Sequence, residues 1–231
     1  MSKTGGAEAG PIEMVPFLPE PFELEPFDWA QDPEESDRQS IKARAVQTRH
    51  RSELRRAKSE AHLMEILPAP LDLEATYHVI SGGDVDALSY LSRVLAEAPM
   101  DYVLLSTWVM ARPDVEQIAL WLENGRIGRL DAYCGEIFPN QYPEVFRLLS
   151  DVLRRHGGRV AIFRNHAKVF AGTGPAFSFA IESSANVNTN PRSENTVVTF
   201  GRDIFEFYKD FYDGIRSFNR DFDDWTKWAA E

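Results

Sequence analysis

From Thr76 to the C-terminus, short apolar runs of strand length alternate with helix-length amphipathic segments, and no other feature limits the fold so tightly. TYHVIS, DYVLLSTWVM, RLDAYCGEIF and RVAIFRN read as strands. Between them, DVDALSYLSRVLAEA, RPDVEQIALWLENG and YPEVFRLLSDVLRRHG read as helices, the first with Val85, Leu88, Leu91 and Leu95 on one face. Gly82-Gly83 ahead of Asp84 reads as a strand-to-helix turn with Asp84 as N-cap. Such alternation predicts an α/β domain, a mixed but mostly parallel sheet with helices on both faces. After Asn165 the connections shorten, and HAKVFAG, FSFAIESS and NTVVTF predict a hairpin or mixed end to the sheet. RDIFEFYKDFYDGIRSF predicts a last helix whose apolar face runs through Ile204, Phe207, Phe211 and Ile215.

The chain ahead of this domain is divided by charge. The whole carries a net charge of −11, which argues against a general nucleic-acid coat. Residues 1–37 hold one lysine against ten acids, whereas residues 38–62 hold eight Lys/Arg against two acids. Blocks of this kind mark interaction segments. Residues 1–36 are rich in Pro, Gly and Glu and are expected to be disordered on their own. Pro16-Phe17, Pro21-Phe22 and Pro26-Phe27 recur every five residues. Residues 14–30 therefore read either as a docking peptide for a protein partner or as an arm lying on this chain's own surface. Residues 37–70 read as one helix and its linker, opened by a Ser36/Gln39 capping box and ended by Pro68 and Pro70, with an apolar stripe at Leu54, Ala57, Ala61 and Met64. Lys42, Arg44, Arg49, Arg51, Arg55 and Arg56 on this helix are candidates for contact with a nucleic-acid phosphate backbone, set against a plain solvated face.

Other features exclude function classes. A single cysteine, Cys134, leaves no intramolecular disulfide and no cysteine-based zinc cluster, and it reads as an inert core thiol. No apolar run reaches the ~18–20 residues of a membrane span, and MSKTGGAEAGPIEM lacks the apolar region of a signal peptide. A cytoplasmic protein without membrane contact is the expectation. Trp108, Trp121, Trp225 and Trp228 read as packing residues before base-stacking ones, and FDDWTKWAAE as a dimer or lid element.

Chemistry concentrates in NHAKVFAGTGPAFSFAIESSANVNTNPRSE. His166 and Lys168 stand two apart on an expected strand, so both project from one face. SSAN closes the next apolar strand and sets Ser183, Ser184 and Asn186 at its mouth, while Glu194 opens a further strand. If these strands are neighbours, the groups converge at one end of the sheet, where α/β proteins bind ligands. A lone H-x-K is weak; the added S-S-x-N and glutamate make the set specific.

The set resembles the phospholipase D superfamily, and within it the single-motif bacterial phosphodiesterase endonucleases, over roughly residues 76–231. The signature there is H-x-K, a downstream Asp, a Gly/Ser-Ser-x-Asn turn and a later Glu. The resemblance implies that residues 71–231 form a phospholipase D-like domain, with His166 as the nucleophile of a phosphohistidine intermediate. Lys168 and Asn186 would hold the non-bridging oxygens, and Glu194 would orient a histidine. Ser184, with Ser183 and Thr173, would line the substrate. One H-x-K per chain implies a homodimer whose second copy donates the leaving-group proton. No metal and no cofactor are implied. The chain departs from the pattern at Thr173, where the family has Asp, at Ser183, where it has Gly, and in a segment between motifs about three residues longer.

Three functions follow as expectations: a metal-independent nuclease on DNA or RNA, a catalytically silent nucleic-acid- or partner-binding module of the same fold, and an enzyme whose acidic arm masks its basic helix. A lipid headgroup is the less favoured substrate.

Overall fold

A computed structural model describes residues 48–187, 193–219 and 225–230, with side chains from Arg56 onward. The phenylalanine repeats, the Ser36/Gln39 cap, Lys42 and Arg44 lie outside the described residues, as do the side chains of Arg49, Arg51, Leu54 and Arg55. Gln47–Glu231 is one compact unit. Its elements are α1 (Thr48–Ile66), β1 (Thr76–Ser81), α2 (Ala87–Glu97), β2 (Met100–Thr107), α3 (Arg112–Glu123), β3 (Ile127–Gly135), α4 (Phe138–Gln141), α5 (Pro143–Arg155), β4 (Val160–Phe163), β5 (Val169–Thr173), β6 (Ser178–Ser183), β7 (Glu194–Phe200) and α6 (Arg202–Asp213).

The seven strands form one mixed sheet in the order β1-β7-β6-β5-β2-β3-β4. Only β2–β3 and β3–β4 pair in parallel. The pairs β1–β7, β7–β6, β6–β5 and β5–β2 are antiparallel, which corrects the mostly parallel sheet expected from the sequence. The cause is topological. β1 and β2 point the same way, as a helical crossover dictates, but the β5–β6–β7 meander is inserted between them. Alternation along the chain fixed strand direction and left open which strands would be neighbours.

Helices cover both faces. Leu63 of α1, Leu88, Leu91 and Leu95 of α2, Val115 and Ile118 of α3, and Leu149 and Leu153 of α5 share one core with Val103, Leu105 and Phe170 of the sheet. Phe205 and Tyr212 of α6 pack on Tyr102, Leu104, Tyr133 and Ala171 of the other face, where Trp228 stacks on Tyr102 with ring centroids 4.8 Å apart. The C-terminal tryptophans thus cover this chain's own sheet.

Three local expectations shift. α2 is capped by Asp86, not Asp84: its carboxylate accepts from the Ser89 amide at 2.7 Å. α1 buries Ser59, Leu63 and, just past its end, Leu67, leaving Ala57, Ala61 and Met64 exposed. A hydroxyl occupies the stripe because it meets Ser89 Oγ at 3.0 Å and accepts from the Asp86 amide at 3.1 Å, and hydropathy does not register such a pairing. α6 turns Phe205, Tyr208 and Tyr212 inward, while Phe207 and Phe211 are 64% and 60% exposed. Both sets fit helical spacing; the chosen one lets the Tyr208 hydroxyl donate to Glu182 on β6.

Among the described residues no helix is long and apolar enough to cross a membrane.

Candidate functional site

Ser81, Thr107, Gly135, Phe163, Val169, Ser183 and Glu194 are strand ends, and the pairing register puts all of them at one end of the sheet. The β4–β5 connection and the β6–β7 turn meet here, carrying the two halves of the sequence constellation.

His166 and Lys168 precede β5, which starts at Val169, so they lie in its lead-in and not on the regular strand that spacing suggested. They are together all the same. Lys168 Nζ donates to the His166 carbonyl at 2.7 Å and stands 3.1 and 3.3 Å from the two ring nitrogens. An ammonium has only protons to give, so the ring nitrogen it bonds is the lone-pair nitrogen. The Lys168 carbonyl accepts from the Ser183 amide at 3.0 Å, which ties this lead-in to β6. Lys168 is 9% exposed. Burial lowers its pKa, and the charge of Glu194 works in the opposite direction.

The SSAN turn is pinned to β7. Ser183 Oγ lies 2.9 Å from Thr196 Oγ1 and accepts from the Ala185 amide at 3.1 Å, so this hydroxyl serves the turn instead of reaching out to a substrate. Ser184 Oγ donates to Glu194 and accepts from the Asn195 amide at 3.1 Å. Glu194 thereby holds Ser184 while its charge reaches Lys168. The Oδ1 atom of Asn186 is buried with no hydrogen-bond partner among the described residues.

Thr173 is not brought to the site. It pairs with Tyr102 near the start of β2 and ends β5 four residues beyond Val169, about 13 Å away along the strand. Its hydroxyl meets Ser178 Oγ at 2.7 Å across the β5–β6 hairpin. The position closes that hairpin, at the end of the sheet opposite His166. Arg56, read as a backbone contact, instead bonds Asp114 Oδ1 at 2.6 Å and lies 3.8 Å from Asp86.

Two residues important to this geometry were missed by the sequence reading. Asn165, 6% exposed, places Nδ2 3.0 Å from Ser106 Oγ, 3.2 Å from the Thr107 carbonyl and 2.8 Å from the Tyr133 carbonyl, while its Oδ1 accepts from the Ala167 amide at 3.0 Å. It clamps the His166 segment to the ends of β2 and β3. Its place directly before the H-x-K was the available signal. Trp108, assigned to packing, flanks the His166 ring with centroids 5.6 Å apart. Gly135 makes room for it, because a Cβ there would run into the indole. Cys134 is fully buried, which pushes its thiol pKa up and leaves it inert. No group of three or more His, Cys, Asp or Glu that could hold a metal ion occurs among the described residues.

This end of the sheet therefore brings together an imidazole, an ammonium bonded to it and a hydroxyl–carboxylate pair, with Asn186 two residues past Ser184 in the same turn. The set suits binding and attacking a phosphorus centre: one nucleophile, and donors for the oxygens that gain charge.

No protein-family model matches the chain, and no curated protein is similar to it. Among solved structures it is similar to a polyphosphate kinase from Porphyromonas gingivalis, at 20% identity and a TM-score of 0.49 over 70% of this chain. It is also similar to TrmBL2, an archaeal chromatin protein, at 7% identity and a TM-score of 0.46 over 78% of this chain. The chain spans 30% of the kinase's length and 66% of the chromatin protein's. At these scores neither likeness decides fold or function.

Proposed function

We propose that the protein is a phospholipase D-like phosphodiesterase acting on nucleic acid through His166. The observation that carries this reading is the convergence of His166, Lys168, Ser184 and Glu194, from three separate chain segments, at one strand end. When the substrate's non-bridging oxygens take over the Lys168 ammonium, the imidazole nitrogen it releases attacks phosphorus and the P–O bond to the leaving alkoxide breaks, giving a phosphohistidine that still bears the other ester. Water then attacks phosphorus and gives its proton to the group of the second chain that protonated the leaving oxygen, the N–P bond breaks, and the imidazole is regenerated. Lys168 and the Asn186 amide hold the non-bridging oxygens. The leaving oxygen needs a proton, worth about 10²–10⁴-fold in rate, and a second copy of the chain in a homodimer supplies the acid.

Wild type and His166→Ala are incubated with single- and double-stranded DNA and RNA in EDTA. Cleavage by the wild type alone supports the reading; cleavage by both, or by neither, overturns it. Cleavage by neither with equal, salt-dependent binding by both supports the silent binding module instead.

A further inference from the structure

The two sides of the His166 site differ in charge. On the β7–β1 side, Glu182 stands next to last on β6, Glu194 opens β7, and Asp84, paired with His62 at 3.0 Å, follows β1. On the β4 side, two arginines lie beside the histidine. Arg164 directly follows β4 and is exposed. It stands two residues ahead of His166, in the segment that Asn165 clamps to the ends of β2 and β3.

Arg216 reaches the same place from beyond α6. The Ile162 amide donates to Ser217 Oγ at 2.8 Å, and the Phe218 amide to the Ile162 carbonyl at 2.7 Å. Asn219 shares a cavity with Gly158 and Val160, at the far end of the sheet where β4 begins. This segment therefore covers the outer edge of β4 and runs antiparallel to it, from the site end toward the far end. Arg216, one residue ahead of Ser217, is level with the end of β4 from which Arg164 emerges. Arg216 is exposed as well, and neither guanidinium makes a hydrogen bond or an ion pair among the described residues. Each is open to a bidentate pair with a phosphate. The other charges at this end of β3 and α3 are Glu136, exposed, and Arg112, 4.0 Å from Glu144. Positive charge stays in excess there.

We infer that Arg164 and Arg216 hold a phosphate of the nucleic-acid strand next to the one attacked at His166, so that the strand leaves the site over the edge of β4, away from Glu194 and Asp84. This names a subsite of the proposed phosphodiesterase and rests on that reading for its cleavage arm only. A neighbouring phosphate takes no part in the bond changes, so its contacts are the same in the ground and transition states. Such contacts lower KM and leave kcat alone.

The test uses the full chain, the double variant Arg164→Gln, Arg216→Gln, and a charge-matched control, Arg154→Gln, Arg202→Gln. The control arginines are exposed at the far end of the sheet, one lining the cavity with Gly158 and the other opening α6 after β7. Circular dichroism and thermal melting check the fold. Binding to a 30-nucleotide single strand is measured across a salt series. Separate kcat and KM values are measured for that strand and for bis(4-nitrophenyl) phosphate, a diester with no neighbouring phosphate. The expected salt slope is shallower by about 1.4 in the site-end variant, from two lost charges on a single strand, and unchanged in the control. KM is expected to rise about tenfold for the strand and less than about twofold for the small ester. No binding of the strand by wild type, an unchanged slope, an equal change in the control, or equal losses on both substrates overturns the inference. Wild type that cleaves neither substrate, with the slope reduced in the site-end variant alone, upholds the contact and overturns the phosphodiesterase reading.

Discussion

The parallel and antiparallel halves of the sheet are built differently. β2, β3 and β4 are covered on both faces, and nearly every residue is buried. β1 and β7 alternate between exposed, partly buried and buried positions along their length. The covered half contributes no reactive side chain; it holds Asn165 and Trp108 in place through the ends of β2 and β3. The open half, with the β5 lead-in, contributes Lys168, Ser184 and Glu194. The division is physical. A buried amide surrounded by backbone acceptors is fixed by the cost of leaving them unpaired, whereas Ser184 is exposed and Glu194 partly buried beside the buried Lys168.

The sharpest way to break this division is at the clamp. Asn165→Ala leaves the Thr107 and Tyr133 carbonyls without their donor, at about 1–3 kcal/mol each, and the melting temperature is expected to fall by on the order of 5–15 °C at about 2–4 °C per kcal/mol. On the proposed mechanism, kcat/KM should fall as well, because releasing the clamp displaces His166 together with the Lys168 ammonium bonded to it.

Gly135→Ala comes next. Its Cβ pushes Trp108 off His166, at an overpacking cost of about 1–3 kcal/mol. Near-ultraviolet circular dichroism should register the indole's movement together with a loss of kcat/KM. An unmoved indole would separate Trp108 from the site.

Smaller still is a pH effect at the helix anchor. Burial raises the Asp114 carboxyl from its usual 3.8 to about 6, with the Ala111 amide and Arg56 opposing. With the folded value above the unfolded one, this group favours the folded chain most below about pH 4, and that contribution is lost as pH rises through about 6. The Arg56 ion pair behaves oppositely, being fully charged only above about pH 6. Because the net shift is upward with the Arg56 contribution included, chemical denaturation should show the Asp114 contribution to stability larger at pH 5 than at pH 7.5, and Asp114→Asn, which cannot ionise, should remove that part of the pH dependence.

Thr173→Ala defines the lower limit. It removes one hydroxyl contact with Ser178 at the far end of β5, so a change within about 1 kcal/mol and an unaltered kcat/KM are expected. A large loss of activity would return Thr173 to the site.

Much of this was legible in the sequence, for reasons particular residues make clear. That His166, Lys168, Ser184 and Glu194 lie together was legible because they belong to a spaced pattern flanking recognisable strands. Leu88, Leu91 and Leu95 were found because α2 buries its leucines at helical spacing, with Val85 buried just ahead of it. The errors fall where polar pairing decides. Arg56 and Ser59 turned α1 by a position, and the Tyr208–Glu182 bond chose between two aromatic faces of α6. The role of Asn165 was hinted at only by its place before the H-x-K, because its partners, Ser106 Oγ and two backbone carbonyls, are brought together only by the sheet. The antiparallel majority was invisible because local pattern does not say where a meander inserts.

The central claim is that His166 attacks phosphorus. The most direct measurement is to quench the protein during turnover of a phosphodiester substrate in EDTA, digest it under conditions that preserve phosphoramidates, and locate the adduct by mass spectrometry. The account predicts a substrate-derived phosphoryl ester on His166, absent from His166→Ala. Turnover with the adduct on another residue, or with His166 unmodified throughout a single-turnover time course, would contradict it.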